Sequence, residues 1–296
     1  MSVKRLLGAW VLVMGMAGSQ QAATIYVATT GTHDAANNFD TWEGAATNLN
    51  EAVVLANSLG RDVVVSNGLF GVTNTLTVTN GFTLASVGGP GATTLYRSVT
   101  NNMNILVVSN ASAFVAGFTL TNGYYSPGFG GIATRLYAGT ISNCVMTRNN
   151  GPLINSSVLL IGGGLATHCT VSNNSVYSGP VMISGGILQN SVITSSSTTD
   201  YGGISMSGSA LVRRCELRAL TVTYNFNAIV ALYGGTLENS LIHDCASSSS
   251  GKAVELAGGR LVNCTITRNT STAGVTPGVN RTGGVITNCI ISANGN

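Results

Sequence analysis

The feature that most limits what this chain can fold into is a repeat of about two dozen residues running through its second half. Seven segments superimpose without gaps: Ala138–Cys144, Gly163–Cys169, Gly185–Ser191, Ser209–Cys215, Gly234–Ser240, Gly258–Cys264 and Gly283–Cys289. Their closing Cys or Ser, the anchor, advances by 25, 22, 24, 25, 24 and 25 residues, and a degenerate copy lies at Val115–Phe118. A fixed period of this size marks a solenoid, in which stacked repeats share one continuous core that no single repeat could bury.

The pattern inside each copy defines the coil. The aliphatic residue three before the anchor (Ile141, Leu188, Val212, Leu237, Leu261, Ile286) points inward and the next points out. The anchor points inward again, as does the residue two beyond it (Met146, Val171, Ile193, Leu217, Ile242, Ile266, Ile291). Period-two alternation broken by a one-residue corner is a strand–turn–strand, not a helix. A third apolar patch precedes each Gly pair, as in Leu159–Ile161 and Val181–Ile183, so three short strands per coil are expected to close a three-sided prism. The corner residue is Asn143, Asn190, Asn239, Asn263 or Asn288, replaced twice by His168 and Arg214. Asn tolerates the positive φ that a tight corner needs. Coils stacked ~4.8 Å apart would let each amide bond the next.

With these Gly-Gly-x-hydrophobic-x-Asn-Cys coils the chain resembles right-handed parallel β-helix proteins of the pectin-lyase-like superfamily, most closely secreted bacterial ones. The resemblance implies an all-β, single-stranded right-handed parallel β-helix with a short N-terminal capping helix. Ile25–Val27 reads as a first strand, and residues 48–60 as an Asn-capped amphipathic helix ending at Gly60. Asp62–Gly68 reads as a strand and turn. In such proteins a helix of this kind plugs the end of the prism. The expected organisation is a signal peptide over 1–23, a cap over 24–68 and coils over 69–296. The last coil is followed only by Ser292–Asn296, so an uncapped apolar end open to a partner is expected.

The signal peptide rests on Lys4 and Arg5, the apolar Leu6–Ala17 and the small or polar Gly18–Ala23, with cleavage between Ser19 and Ala23. The apolar run is too short for a comfortable membrane span. A secreted, periplasmic or outer-surface location follows, with no membrane span once the signal is gone. Losing Lys4 and Arg5 from 13 basic residues against 10 acidic ones leaves the rest close to neutral. Nothing in that balance favours nucleic acid as a partner. Charged residues make up only 8%, against about 25% in ordinary domains, so little charge is available for catalysis.

Five cysteines (Cys144, Cys169, Cys215, Cys264, Cys289) are anchors and are expected to be small, stacked, buried thiols; a bridge at Cys144–Cys169 or Cys264–Cys289 stays open. At the coil spacing, facing Cβ atoms are further apart than a disulfide favours. Cys245 reads as a loop residue and the one reactive thiol. No metal-ligand spacing appears, and no cofactor is implied. Pectin-lyase-like enzymes resemble one another in using clustered carboxylates, and this chain has few. Coil register assembles one catalytic candidate: His243 and Asp244 with Arg218, Glu216 and Arg268, readable as an acid/base group with a cationic clamp or as a surface ion cluster. Arg213 and Glu238 read as a cross-strand salt bridge. Aromatics in the loops after the third strand (Tyr124, Tyr125, Phe129, and above all Tyr177, Tyr201, Tyr224 and Phe226) read as a ladder for apolar sugar faces or as cover for loop backbone. The preferred expectation is a non-catalytic, secreted or envelope-associated protein whose long face binds polysaccharide, a cell-surface glycan or another surface. A polysaccharide lyase or glycoside hydrolase is the alternative.

Overall fold

The computed structural model describes residues 23–101, 103–124, 131–199, 202–223, 228–247, 252–271 and 278–295. Almost all of the expected signal peptide lies outside them. The chain is a right-handed parallel β-helix of about eight turns. Three long sheets form its walls, with 11 strands in sheet A (Ile25–Val27 to Val285–Thr287), 10 in sheet B (Gly68–Val72 to Ile290–Ser292) and 9 in sheet C (Leu76–Val78 to Val279–Arg281). A fourth ladder, sheet D, adds six two-residue strands from Asn150–Gly151 to Thr270–Ser271. The expected prism is therefore right in its three walls, with a narrow fourth strip between sheets B and C. Strand pairing is parallel and in register; Ile141, for instance, stands between Val115 and Ala166.

The hydrophobic columns are those the repeat predicts. Ile141, Leu188, Val212, Leu237 and Leu261 of sheet A and Met146, Val171, Ile193, Leu217, Ile242 and Ile266 of sheet B are buried in one core. Sheet C contributes both outer residues of each strand, as in Leu159 and Ile161, and turns its middle residue outward. The anticipated helix is α1 (Leu49–Leu59), capped by the Asn48 side chain on Asn50 N–H and closed by Gly60 at φ 66°. It buries Leu49, Ala52, Val53 and Ala56 and packs on the first strands of sheets A, B and C at once. That is the position of a plug. At the opposite end the final described coil leaves Val285, Ile290 and Ile291 exposed.

Corners give the coil its geometry. Asn143, His168, Asn190, Arg214, Asn239, Asn263 and Asn288 all have φ between 48° and 53°, the left-handed region that Asn adopts at least cost. Across the Gly-pair corner, a Cβ on Gly235 (φ 77°) would collide with the Ala210 carbonyl. A second left-handed column follows four residues after each anchor, at Arg148, Asn173, Ser195, Ala219, Asp244, Arg268 and Ala293. This column turns the chain from sheet B into sheet D.

A left-handed corner leaves the next residue's N–H without a ladder partner, and the anchor side chains answer this. Ser191 Oγ accepts from Cys169 N–H (3.1 Å), Ser240 Oγ from Cys215 N–H (3.1 Å) and Cys289 Sγ from Cys264 N–H (3.4 Å). The same groups donate to the carbonyl two residues earlier, as Ser240 does to Glu238 (2.8 Å) and Cys215 to Arg213 (3.4 Å). Cys and Ser alternate because both are small and both can donate and accept. After the second corner the role passes to an inward Asn: Asn174 Oδ1 accepts from Asn149 N–H (2.9 Å) and Asn269 Oδ1 from Cys245 N–H (3.2 Å).

Two expectations are corrected here. Cys245 is not a loop thiol: it occupies this second inward column, is 1% exposed, and burial pushes its thiol up to about 12. Arg213 does not bridge to Glu238, although the two are in register; its Nε donates to Gln189 Oε1 of the preceding coil at 2.9 Å. All six cysteines are unbridged, and desolvation raises Cys144 to about 12 and Cys169, Cys215 and Cys264 to about 11. Among the described residues no helix is long and apolar enough to cross a membrane.

Two measurements check this account. Ser240→Ala, which strands Cys215 N–H, should cost roughly 1–3 kcal/mol in urea denaturation, whereas Ser240→Cys should cost clearly less. At mildly alkaline pH a thiol–disulfide reagent should label only half-buried Cys289 in the native protein, the other five reacting after denaturation.

Candidate functional site

The coil register that groups the sequence candidates is real. Sheet B places Arg218 beside His243, and Glu216 beside Leu241, in adjacent coils. His243 is nearly buried, with its side chain 11% exposed. Each ring nitrogen faces a carboxylate: Nε2 lies 3.0 Å from Glu216 Oε1 and Nδ1 lies 2.6 Å from Asp244 Oδ2. Arg218 Nε closes on Glu216 Oε1 at 3.1 Å. Arg268 grips Asp244 with two hydrogen bonds of 2.8 Å, from Nε and Nη2. The result is a continuous chain, Arg218–Glu216–His243–Asp244–Arg268, crossing three coils on the outer surface.

Local structure explains the grouping. Glu216, Arg218 and His243 are outward residues of sheet B, so the parallel register stacks them. Asp244 and Arg268 are second-corner residues, at φ 52° each, and stack one coil apart. The hydrogen bonds from Arg268, and next from His243, hold the Asp244 carboxyl well below the usual carboxylate range. Chemically the cluster is self-satisfied. A ring nitrogen already bonded to a carboxylate is poorly placed to take a substrate proton, and both carboxylates are themselves engaged by arginines.

The aromatic candidates fare differently. Tyr201, Tyr224 and Phe226, like Tyr125 and Phe129, lie outside the described residues. Tyr177 is half-buried in the turn after sheet D. Tyr124 is exposed, with Arg97 5.1 Å above its ring centroid. Among the described residues no three of His, Cys, Asp and Glu come together as a metal site would require.

The sequence reading missed a threonine-rich strip around Tyr96 on sheet B near the N-terminal end. In one axial row stand Gly71, Tyr96, Thr121 and Thr147; in the parallel row stand Leu69, Thr94 and Thr119. Gly71 makes room for the tyrosine, since a Cβ there would come within 3.2 Å of Tyr96 Oη. The rows line an open groove of about 470 Å³, bordered by Asn122 and Arg148. Its signal was present as Tyr96 in outward register with Thr121 and Thr147, in coils where the repeat is degenerate.

With a three-walled parallel solenoid, left-handed corners and a helical plug, the class of the chain is settled: it is a right-handed parallel β-helix protein. Solved structures of similar shape share little sequence with it. The ORF18 protein of Geobacillus virus E2 is 12% identical, with a TM-score of 0.44 over 82% of this chain and 59% of that one. The Dettilon tailspike protein is 14% identical, with a TM-score of 0.41 over 84% and 54%. Pectin methylesterase from Aspergillus niger is 13% identical, with a TM-score of 0.39 over 91% and 85%. The chain thus spans somewhat over half the length of the first two. No family model matches the chain, and no curated protein does.

The ion chain has a signature in acid. A depressed native pKa means that Asp244 contributes its full stability above the unfolded value, near pH 4, and loses it as pH falls through the native value. The gap in thermal midpoint between wild type and Asp244→Asn should therefore be constant around neutrality and close on acidification below about pH 4. A gap that widens on acidification contradicts the pairing with Arg268.

Proposed function

We propose that this chain is a secreted or envelope-associated, non-catalytic β-helix that binds a glycan along the outer face of sheet B. The observation that carries the reading is the strip around Tyr96. A tyrosine ring over a glycine gives an apolar platform for one face of a sugar ring. The hydroxyls of Thr94, Thr121 and Thr147 surround it with groups able to donate and accept, and Thr119, whose hydroxyl donates to Pro90 O at 2.7 Å, can still accept, as hydroxyl-rich ligands require. Leu69, 69% exposed beside them, extends the platform by one coil. The signal-like residues 1–23 are consistent with export, and half-buried Tyr177, in the turn after sheet D, is a separate candidate contact.

The enzyme reading places its chemistry on His243 and Asp244. It is disfavoured by the engagement of both imidazole nitrogens and both carboxylates within the cluster.

Affinity electrophoresis against a panel of neutral polysaccharides, alongside a polysaccharide-cleavage assay, separates the two. Tyr96→Ala should weaken retention by the polysaccharide that binds wild type roughly tenfold, about 1.4 kcal/mol, while His243→Ala leaves retention unchanged. Cleavage by wild type that His243→Ala abolishes would overturn the non-catalytic reading.

A further inference from the structure

Five asparagines of the chain precede a glycine: Asn67, Asn80, Asn122, Asn150 and Asn294. A glycine there leaves its amide nitrogen open to the asparagine side chain, since no Cβ restricts the backbone between them. The solenoid closes four of the five. Gly68 N–H donates to Ala92 O at 2.9 Å and Gly295 N–H to Asn269 O at 3.1 Å, each in a neighbouring coil. Gly123 N–H donates to Asn149 Oδ1 at 2.8 Å, and Gly151 is buried in the sheet D ladder opposite Val176. Gly81 is different. It lies in the turn between Leu76–Val78 of sheet C and Thr83–Ser86 of sheet A, outside both ladders, and is exposed together with Asn80. Its N–H donates to Oδ1 of Asn80 itself, at 2.7 Å.

That contact brings a nucleophile to its electrophile. Asn80 Cγ is one carbonyl bond beyond Oδ1, so it lies no more than about 3.9 Å from Gly81 N, close to the roughly 3–3.5 Å of a near-attack pair. A turn of the exposed amide about its Cβ–Cγ bond presents the carbon to the nitrogen and gives up the hydrogen bond from Nδ2 to Asn57 O (3.1 Å). The same hydrogen bond fastens the plug. Asn57 O is among the last four carbonyls of α1, where partners within a helix run out, and Asn80 Nδ2 supplies one from the first coils. In return Asn57 Oδ1 accepts from Thr79 N–H at 2.8 Å and Asn80 N–H at 3.2 Å.

We propose that Asn80–Gly81 is a self-modifying site, at which the chain deamidates through a succinimide and so loosens its own helical plug. Gly81 N loses its proton to solvent base and bonds to Asn80 Cγ. The Cγ–Nδ2 bond breaks, and the nitrogen takes a proton from water and leaves as ammonia. Water then opens the ring. Its attack at Cγ yields aspartate, and its attack at the Asn80 backbone carbonyl yields isoaspartate, whose main chain runs through Cγ. Either product puts a carboxylate where Nδ2 donated, against the carbonyl end of α1, where the helix dipole disfavours negative charge. Isoaspartate also lengthens the main chain beside a glycine that packs tightly on the next coil, since a Cβ on Gly81 would come within 2.8 Å of Ser112 Cβ. The site acts on the plug and stands without the glycan reading.

The test is to hold the native protein at mildly alkaline pH and follow all five Asn-Gly peptides by mass spectrometry, beside a sample kept unfolded in urea. In the native protein Asn80 should convert roughly tenfold or more faster than Asn67, Asn122, Asn150 and Asn294, whereas in urea the five should convert at similar rates. Fragmentation of the Asn80 peptide should show isoaspartate as well as aspartate, which marks the succinimide. Asn80→Asp, which installs one product, should lower the thermal midpoint and speed hydrogen exchange of the α1 amides. Native conversion of Asn80 no faster than that of the other four, aspartate without isoaspartate, or an unchanged thermal midpoint in Asn80→Asp would each overturn the proposal.

Discussion

The structure depends on one recurring problem and its solution: a backbone N–H left behind by a left-handed corner. A one-residue turn reverses which neighbouring coil the amides face. His168 N–H bonds Gln189 O in the following coil, whereas Thr170 N–H bonds Cys144 O in the preceding one. The amide between them has no carbonyl to meet. Left buried and unpaired it would cost about 1–3 kcal/mol at every coil, a sum no solenoid of this length could absorb. At Cys169, Cys215 and Cys264, and at Asn149, Asn174, Cys245 and Asn269 after the second corner, the inward side chain of the next coil supplies the acceptor, a role that favours Cys, Ser or Asn where a core would otherwise take an aliphatic residue.

That requirement orders much else. Because the acceptor comes from the following coil, each corner is completed by its neighbour, so the coils are interdependent beyond their strand ladders. The buried anchor thiols donate to carbonyls in a dry column, and burial drives them away from reactive chemistry, as the raised values of Cys144, Cys169, Cys215 and Cys264 show. The Cys content of an exported chain is commonly read as a disulfide framework; here the cysteines are better understood as serines that pack more tightly.

How legible this was in the sequence differed from column to column for a physical reason. The first corner could be read because one residue type, Asn, suits it, and because the anchor behind it is confined to Cys and Ser. The second corner was invisible: Arg148, Asn173, Ser195, Ala219, Asp244, Arg268 and Ala293 share a backbone conformation and no side-chain chemistry, since their side chains point into water. The column after it mixes Asn149, Asn174, Ser196, Leu220, Cys245 and Asn269, all buried, which is why Cys245 looked like a loop residue when taken alone. The ion chain on sheet B was legible, because register alone stacks its members. The choice of Gln189 over Glu238 by Arg213 was not, since both acceptors flank it in the same outward row and side-chain reach decides between them.

In a structure this regular, a departure from a column carries more information than the column does. Arg214 keeps the corner's backbone and replaces the amide ladder with hydrogen bonds to Asn190 and Gln189 of the preceding coil. Arg214 satisfies φ 51° no better than Asn would, interrupts the amide ladder and puts a charge on an otherwise neutral wall. His168, the other departure, bonds its neighbour Thr167. The two irregularities thus differ: His168 bonds its own neighbour, and Arg214 ties its corner to the preceding coil. Function on a solenoid has no cleft between domains in which to hide, so it has to be written into the side chains that the repeat leaves free, and Tyr96, standing in an outward row with Gly71 and two threonines, is the departure on which the glycan reading rests.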